Sequence, residues 1–154
     1  MLRLIPRAAH RFAYRAAHRL RKLYWRVFKP EIPGCSVIAR NAANEVLLVR
    51  LSYGRGGWQF PGGGMGRGED PLAAGRREFV EETGLALAHS RLLGVSRENL
   101  HGAVNLVNVV AGQAEGTPQV DGREVVEARW FAPGALPEPR SATVDARLAA
   151  FGRG

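Results

Sequence analysis

Glu78, Glu81 and Glu82 stand at i, i+3 and i+4, so in a helix of 3.6 residues per turn all three side chains leave from one face. Asp70 followed by Pro71 is a helix start: Asp caps free backbone N–H groups, Pro loses nothing at the first helical position, and Gly84 supplies the stop. Carboxylates at i and i+4 repel by roughly 0.2–0.5 kcal/mol on an exposed helix, so stability alone gives no reason to set Glu78 beside Glu82. A divalent cation gives one. Mg2+ takes hard oxygen ligands from carboxylates and completes its shell with water and phosphate, and a loop carbonyl near Gly63 is placed to join them. Arg77 reaches Glu81 one turn on and Glu69 across the loop, and would hold the acids in place. The plain alternative is a solvated acidic face, which most charge clusters on helices are. A glycine corner, Glu69 and Arg77 in register with the acids weigh against it.

The stretch Gly63–Leu85, GGMGRGEDPLAAGRREFVEETGL, resembles the signature of the Nudix hydrolases. That signature is G, five residues, E, seven residues, REU, one residue, EE, one residue, GU, with U a bulky apolar residue. Gly63, Glu69, Arg77, Glu78, Phe79, Glu81, Glu82, Gly84 and Leu85 fill every defined position. Phe79 is larger than the Leu, Ile or Val usual at its place, which bears on packing and not on ligation. The resemblance implies hydrolysis of a pyrophosphate linkage in a nucleoside diphosphate derivative or nucleotide, with Mg2+ or Mn2+ required. It makes Glu78, Glu81, Glu82 and the Gly63 carbonyl the metal ligands and Glu69 a structural support. Catalysis would fall to Arg77 and to Glu81 as the proton acceptor, with Glu127 or Glu98 from outside the motif as rivals. Arg50, Tyr53 and Trp58 are candidates for substrate contact, although Trp58 suits packing better than base stacking. A Nudix module that binds a nucleotide or a protein partner without catalysis is the alternative, since fold does not fix function.

Substrate signatures of particular Nudix groups are missing. Neither the proline of ADP-ribose hydrolases nor the tyrosine of diadenosine polyphosphate hydrolases follows the motif at the usual distance, where Leu100, His101 and Gly102 stand. The upstream motif of coenzyme A pyrophosphatases is also missing from Val49–Gly62. A nucleoside triphosphate or another small nucleotide pyrophosphate remains by elimination. The glycines of Gly54–Gly68 precede no Gly-Lys-Ser/Thr, so a P-loop NTPase is set aside.

A chain of 154 residues with 45% hydrophobic residues suits one domain with a substantial core. Cys35 is the single cysteine, and His10, His18, His89 and His101 are scattered without metal-site spacing, so a reducing, cytoplasmic setting is expected. The net charge of +8 is unevenly spread. Arg3, Arg7, Arg11, Arg15, Arg19, Arg21, Lys22, Arg26 and Lys29 fall within residues 1–30, which hold no acid; the rest of the chain balances 13 basic residues against 14 acidic ones.

Those first 30 residues read as a basic amphipathic helix preceding a Nudix domain over 31–154. Such a helix is expected to pack on the domain or on a second copy, giving a homodimer, or to lie on a membrane surface. Nucleic-acid contact ranks last. A targeting peptide also fits an acid-free, Arg-rich segment, but this one lacks Ser. No secretory signal peptide or transmembrane span is expected.

Around the motif the chain predicts mostly strands. Cys35–Ala39 and Glu45–Arg50 form a hairpin over an Asn41–Asn44 turn, Trp58–Phe60 a short strand, and Pro61–Gly64 a break. Arg91–Arg97, Ala103–Ala114 and Val125–Phe131 follow as strands, with Val104, Leu106 and Val110 as candidates for the core. Ser141 or Thr143 caps a closing helix that ends near Phe151. The fold class expected is α/β (α+β), a Nudix-type mixed sheet between helical layers.

Overall fold

The computed structural model describes residues 31–54, 57–100 and 103–152, together with Ala13, Ala16, Ala17 and Leu20, which are helical and exposed. The remainder of the expected basic helix lies outside the described residues.

Strands β1 (Glu31–Arg40), β2 (Val46–Leu51), β3 (Trp58–Gln59) and β4 (Gly62–Gly64) precede helix α1 (Pro71–Thr83). Then come β5 (Ala88–Leu100), β6 (Ala103–Gln113), β7 (Val125–Phe131) and helix α2 (Ala142–Phe151). Among the described residues these strands make one mixed sheet in the order β3-β2-β1-β6-β5, with β4 also paired to β1 and β7 to β2. β1 and β6 run parallel over their whole length, Glu31↔Val104 to Arg40↔Gln113. On its other side β1 forks, meeting β2 at Arg40↔Val46 and β4 at Gly34↔Gly64 to Ser36↔Gly62.

A helix covers each face. Val37, Ala39, Leu47, Val49 and Val110 form one core with Phe79 of α1; Ile38, Val46, Leu48, Trp58, Phe60 and Val109 form the other with Val144 of α2. Adjacent residues of β1 and β2 thus serve opposite cores, which is why these strands are continuous apolar runs. Phe79 is fully buried, so the unusual bulk at this motif position fills the α1 core. On β6 the buried residues are Ala103, Val107, Val109 and Val110, whereas Val104 and Leu106, expected in the core, are half-buried.

α1 has the limits its sequence predicts. Asp70 Oδ2 accepts from Ala73 N–H at 2.9 Å, Pro71 opens the helix, and Gly84 closes it at φ 71°, donating its N–H to the Val80 carbonyl. α2 begins at an N-cap Ser141, tied to the sheet by Ser141 N–H to the Trp58 carbonyl at 2.8 Å. β1 starts four residues earlier than expected. Pro33 is accommodated because its carbonyl, and hence its missing N–H, faces away from β6, where Met65 N–H donates to it at 3.1 Å. No described helix is long and apolar enough to cross a membrane.

Candidate active site

The fork in β1 sets β4 directly against α1, and the motif residues converge there. Gly63 must lack a side chain: a Cβ would stand 2.6 Å from Glu78 Oε2, so the carboxylate occupies that space. Glu82, one turn further along α1, is 7% exposed and accepts Gly62 N–H on Oε2 at 2.9 Å. Glu81 points outward, its side chain 59% exposed, with Arg77 Nη1 3.7 Å from Oε2.

Arg77 organises this end of the helix. Its Nε and Nη2 donate to Glu69 Oε1 and Oε2, each at 3.0 Å, Nη1 donates to Glu78 Oε1 at 2.6 Å, and Nη2 reaches the Gly64 carbonyl at 3.2 Å. Glu69 also accepts Gly66 N–H at 2.8 Å, so the loop before α1 is stapled to both the arginine and itself. Hydrogen bonds from Arg77 first, then from Gly66, hold the Glu69 carboxyl below its ordinary range.

The two inner glutamates are electrostatically frustrated. Burial pushes Glu82 well upward; Gly62 N–H opposes this, while the charges of Glu78, Glu124 and Glu81 add to it. Burial likewise raises Glu78, with Arg77 opposing and Glu81 and Glu124 adding. Behind them the Cys35 thiol, also buried, is pushed up to about 11.

Glu124 acts on this group although it lies outside the motif. Tyr53 Oη donates to its Oε1 at 2.8 Å, and Ser52 N–H donates to its carbonyl at 2.7 Å. A register shift between Arg50 and Leu51 in the β2–β7 pairing separates it from Glu127, which stands opposite Arg50. Glu127 Oε2 pairs with Arg50 Nη2 at 2.9 Å and Oε1 with Arg129 Nη2 at 2.5 Å. Arg50 lies over the Trp58 ring at 5.5 Å, and its Nε is buried without a partner. Trp58 is 6% exposed and edge-on to Phe131, at 4.9 Å between centroids, which is packing geometry. Glu98 pairs with Arg147 of α2 at 2.6 Å, on the other side of the sheet from α1.

Gly63, Glu69, Arg77, Glu78, Glu81 and Glu82 are therefore brought together, with Tyr53 linked through Glu124. Arg50, Trp58 and Glu127 form a neighbouring cluster along β2, β3 and β7. The acidic set fits a divalent cation on its own chemistry, since several carboxylates raise one another's affinity for positive charge and Arg77 satisfies only one edge of Glu78. Among the described residues no three His, Cys, Asp or Glu side chains are placed so that they could hold a metal ion by themselves. An open set suits Mg2+, which keeps several waters and draws further ligands from substrate phosphate.

Comparison with known proteins agrees with this geometry. The NUDIX domain family model matches residues 30–150. A Bacillus subtilis (strain 168) protein with the provisional name 8-oxo-dGTP diphosphatase is 35% identical over 107 residues, 68% of this chain and 68% of that protein. The crystal structure of the MutT NUDIX hydrolase from Burkholderia pseudomallei superposes with a TM-score of 0.69 at 26% identity, covering 78% of this chain and 97% of the other. The MutT protein from Methanosarcina mazei Go1 gives the same TM-score and identity over 82% and 96%.

Proposed function

The chain belongs to the Nudix hydrolase family, and from that premise we propose that it hydrolyses a phosphoanhydride bond of a nucleoside triphosphate with Mg2+ or Mn2+. The observation that carries this reading is the pair of carboxylates, half-buried Glu78 and buried Glu82, set against Gly62–Gly63 with further like charges around them. The name of the Bacillus relative supports a nucleoside triphosphate as the substrate class.

In this reading Glu78, Glu81, Glu82 and the Gly63 carbonyl hold the cation. When bound it would neutralise phosphate oxygens and acidify water. Arg77 fixes one edge of Glu78 and leaves Oε2 turned to Gly63; Gly62 N–H fixes one oxygen of Glu82. Glu81, the most exposed of the three and only loosely met by Arg77, is the proton acceptor. The water oxygen bonds to phosphorus, the bond from phosphorus to the bridging oxygen breaks, and the proton passes to Glu81. Glu124, held by Tyr53, adds negative charge on the substrate side, and Glu127 braces Arg50. The buried Cys35, with no disulfide, accords with a cytoplasmic location.

A panel of nucleotides incubated with Mg2+ and resolved by product tests the proposal. Release of a nucleotide together with phosphate or pyrophosphate is expected; tight nucleotide binding with no turnover would point instead to a silent module.

A further inference from the structure

A cavity of about 130 Å³ opens on the α2 face of the sheet, at the end away from the acidic centre. Ile38, Leu93 and Phe151, which belong to the α2 core or pack against it, form its apolar side. Arg40, His89, Arg91 and Gln113, from the three neighbouring strands β1, β5 and β6, form its polar side, and among the described residues no carboxylate lines it. β4 meets β1 at Gly34 to Ser36, whereas Arg40 closes that strand, roughly 16 Å beyond Cys35. The cavity and the acidic centre therefore share neither a face nor an end of the sheet.

The cations here are short of partners. Arg40 is held from two sides, Nη2 donating to the Gly152 carbonyl at the end of α2 at 3.0 Å and Nη1 to Asn44 Oδ1 at 3.1 Å. Among the described residues the side chains of His89, Arg91 and Gln113 meet no hydrogen-bond or ionic partner. Acids of the adjoining loops are engaged elsewhere: Glu45 accepts from the Asn41 amide at 2.7 Å, and Glu115 from Ala42 N–H at 2.6 Å. Charged side chains commonly blunt a sheet edge, and β5 is an edge strand. Arg40 and Gln113, however, end β1 and β6, which lie inside the sheet, so edge protection accounts for only part of the cluster. Like charges beside apolar surface repel with less screening than in water, and stability alone gives no reason to gather them.

We propose that this cavity is a second anion site, in which Arg40, His89, Arg91 and Gln113 bind a phosphate group. The ligand must be anionic because basic side chains line the cavity and acids do not. It must be small, since the volume suits an ion and not a peptide or a whole nucleotide. It must also be rich in acceptors. Two guanidinium groups, an imidazole N–H and an amide offer donors from three strands, and a phosphate has oxygens for all of them where a carboxylate has two. Arg40, fixed by Asn44 and Gly152, is already oriented, and Ile38, Leu93 and Phe151 keep one side dry, which strengthens the charged hydrogen bonds. The group is either a free ion or the phosphate of a nucleotide whose remainder stays outside the cavity.

The test titrates the full chain, in EDTA, with inorganic phosphate, pyrophosphate and AMP while backbone amides are followed by two-dimensional NMR. Without metal the acidic centre repels anions, so the two sites are read apart. Saturable shifts are expected at Leu93, Gly112 and Phe151, with Gly62 to Gly66 unmoved. Arg91→Met and Gln113→Leu, both at exposed positions without partners, should leave Tm unchanged and weaken phosphate binding, the arginine variant by about tenfold. Tighter binding of AMP than of phosphate at the same amides would support the site with a nucleotide as its source, and the reverse order would support it with the free ion. A titration that does not saturate overturns the proposal. So do shifts confined to residues 1–30 or to Gly62 to Gly66, and an Arg91→Met chain that binds phosphate as the wild type does.

Discussion

Arg77 and Glu69 meet side by side, Nε to Oε1 and Nη2 to Oε2, both at 3.0 Å, so the loop before α1 and the helix itself are clasped by one planar pair. The same guanidinium donates to Glu78, so the position of an inner carboxylate depends on a residue eight positions before the arginine. Bidentate geometry of this kind fixes direction as well as distance.

Glu69→Gln breaks that clasp without touching the inner glutamates. Turnover is expected to fall about 10–100-fold, as for residues that orient metal ligands, while the melting temperature barely moves. Steady-state kinetics beside a thermal melt checks this; full activity would show that Arg77 holds Glu78 unaided.

Gly63→Ala places a methyl group where the Glu78 carboxylate sits, 2.6 Å from Oε2. Displacing that carboxylate by about an ångström should cost on the order of 10²-fold in kcat and weaken Mn2+ binding. Titration of Mn2+ by electron paramagnetic resonance reads the second effect directly, and wild-type affinity would contradict it.

The raised pKa values of Glu78 and Glu82 give stability a definite pH sign. Both carboxyls bind protons more tightly when folded than at their ordinary value of 4.5, so their contribution is fully present below about pH 4.5 and is lost as pH rises through the folded values. Without metal, this part of the stability should decline with rising pH. Added Mg2+ binds the ionised carboxylates and should raise Tm more at higher pH. Melts across pH with EDTA or Mg2+ test both signs; a Mg2+ effect independent of pH would contradict the second.

Much of this centre is legible in the sequence because the motif specifies spacing, and spacing on a helix is geometry. Asp70, Pro71 and Gly84 fix the limits of α1, and the acids must then share a face. Other features depend on tertiary contacts. β4 is Gly62–Gly64, without strand propensity, and exists because β1 offers it a partner. β5 outruns its expected span because two register shifts, one beside His89 at φ 50°, break the alternation. Glu124 was hidden for the same reason: the irregularity after Arg50 in the β2–β7 pairing brings it level with Ser52, whose N–H donates to its carbonyl. Continuous apolar residues on β6 gave no face, so Val104 and Leu106 were indistinguishable from Val107 and Val109.

Removing residues 1–30 should leave hydrolysis measurable, since every contact named at the acidic centre lies within residues 31–124. Loss of the nine basic residues is expected to change solubility, oligomeric state or attachment to anionic vesicles. Size-exclusion chromatography and vesicle sedimentation of the truncated chain read these, and a chain that no longer folds would place the segment in the core.

The central claim is that α1 carboxylates hold the cation on which hydrolysis depends, and Glu82→Gln tests it most directly. The variant should melt no lower than the metal-free wild type and, with Mg2+ and a nucleoside triphosphate, turn over about 10²–10⁴-fold more slowly than the wild type, whose own activity disappears with EDTA. Equal rates for the two proteins, or hydrolysis that persists in EDTA, would contradict the account.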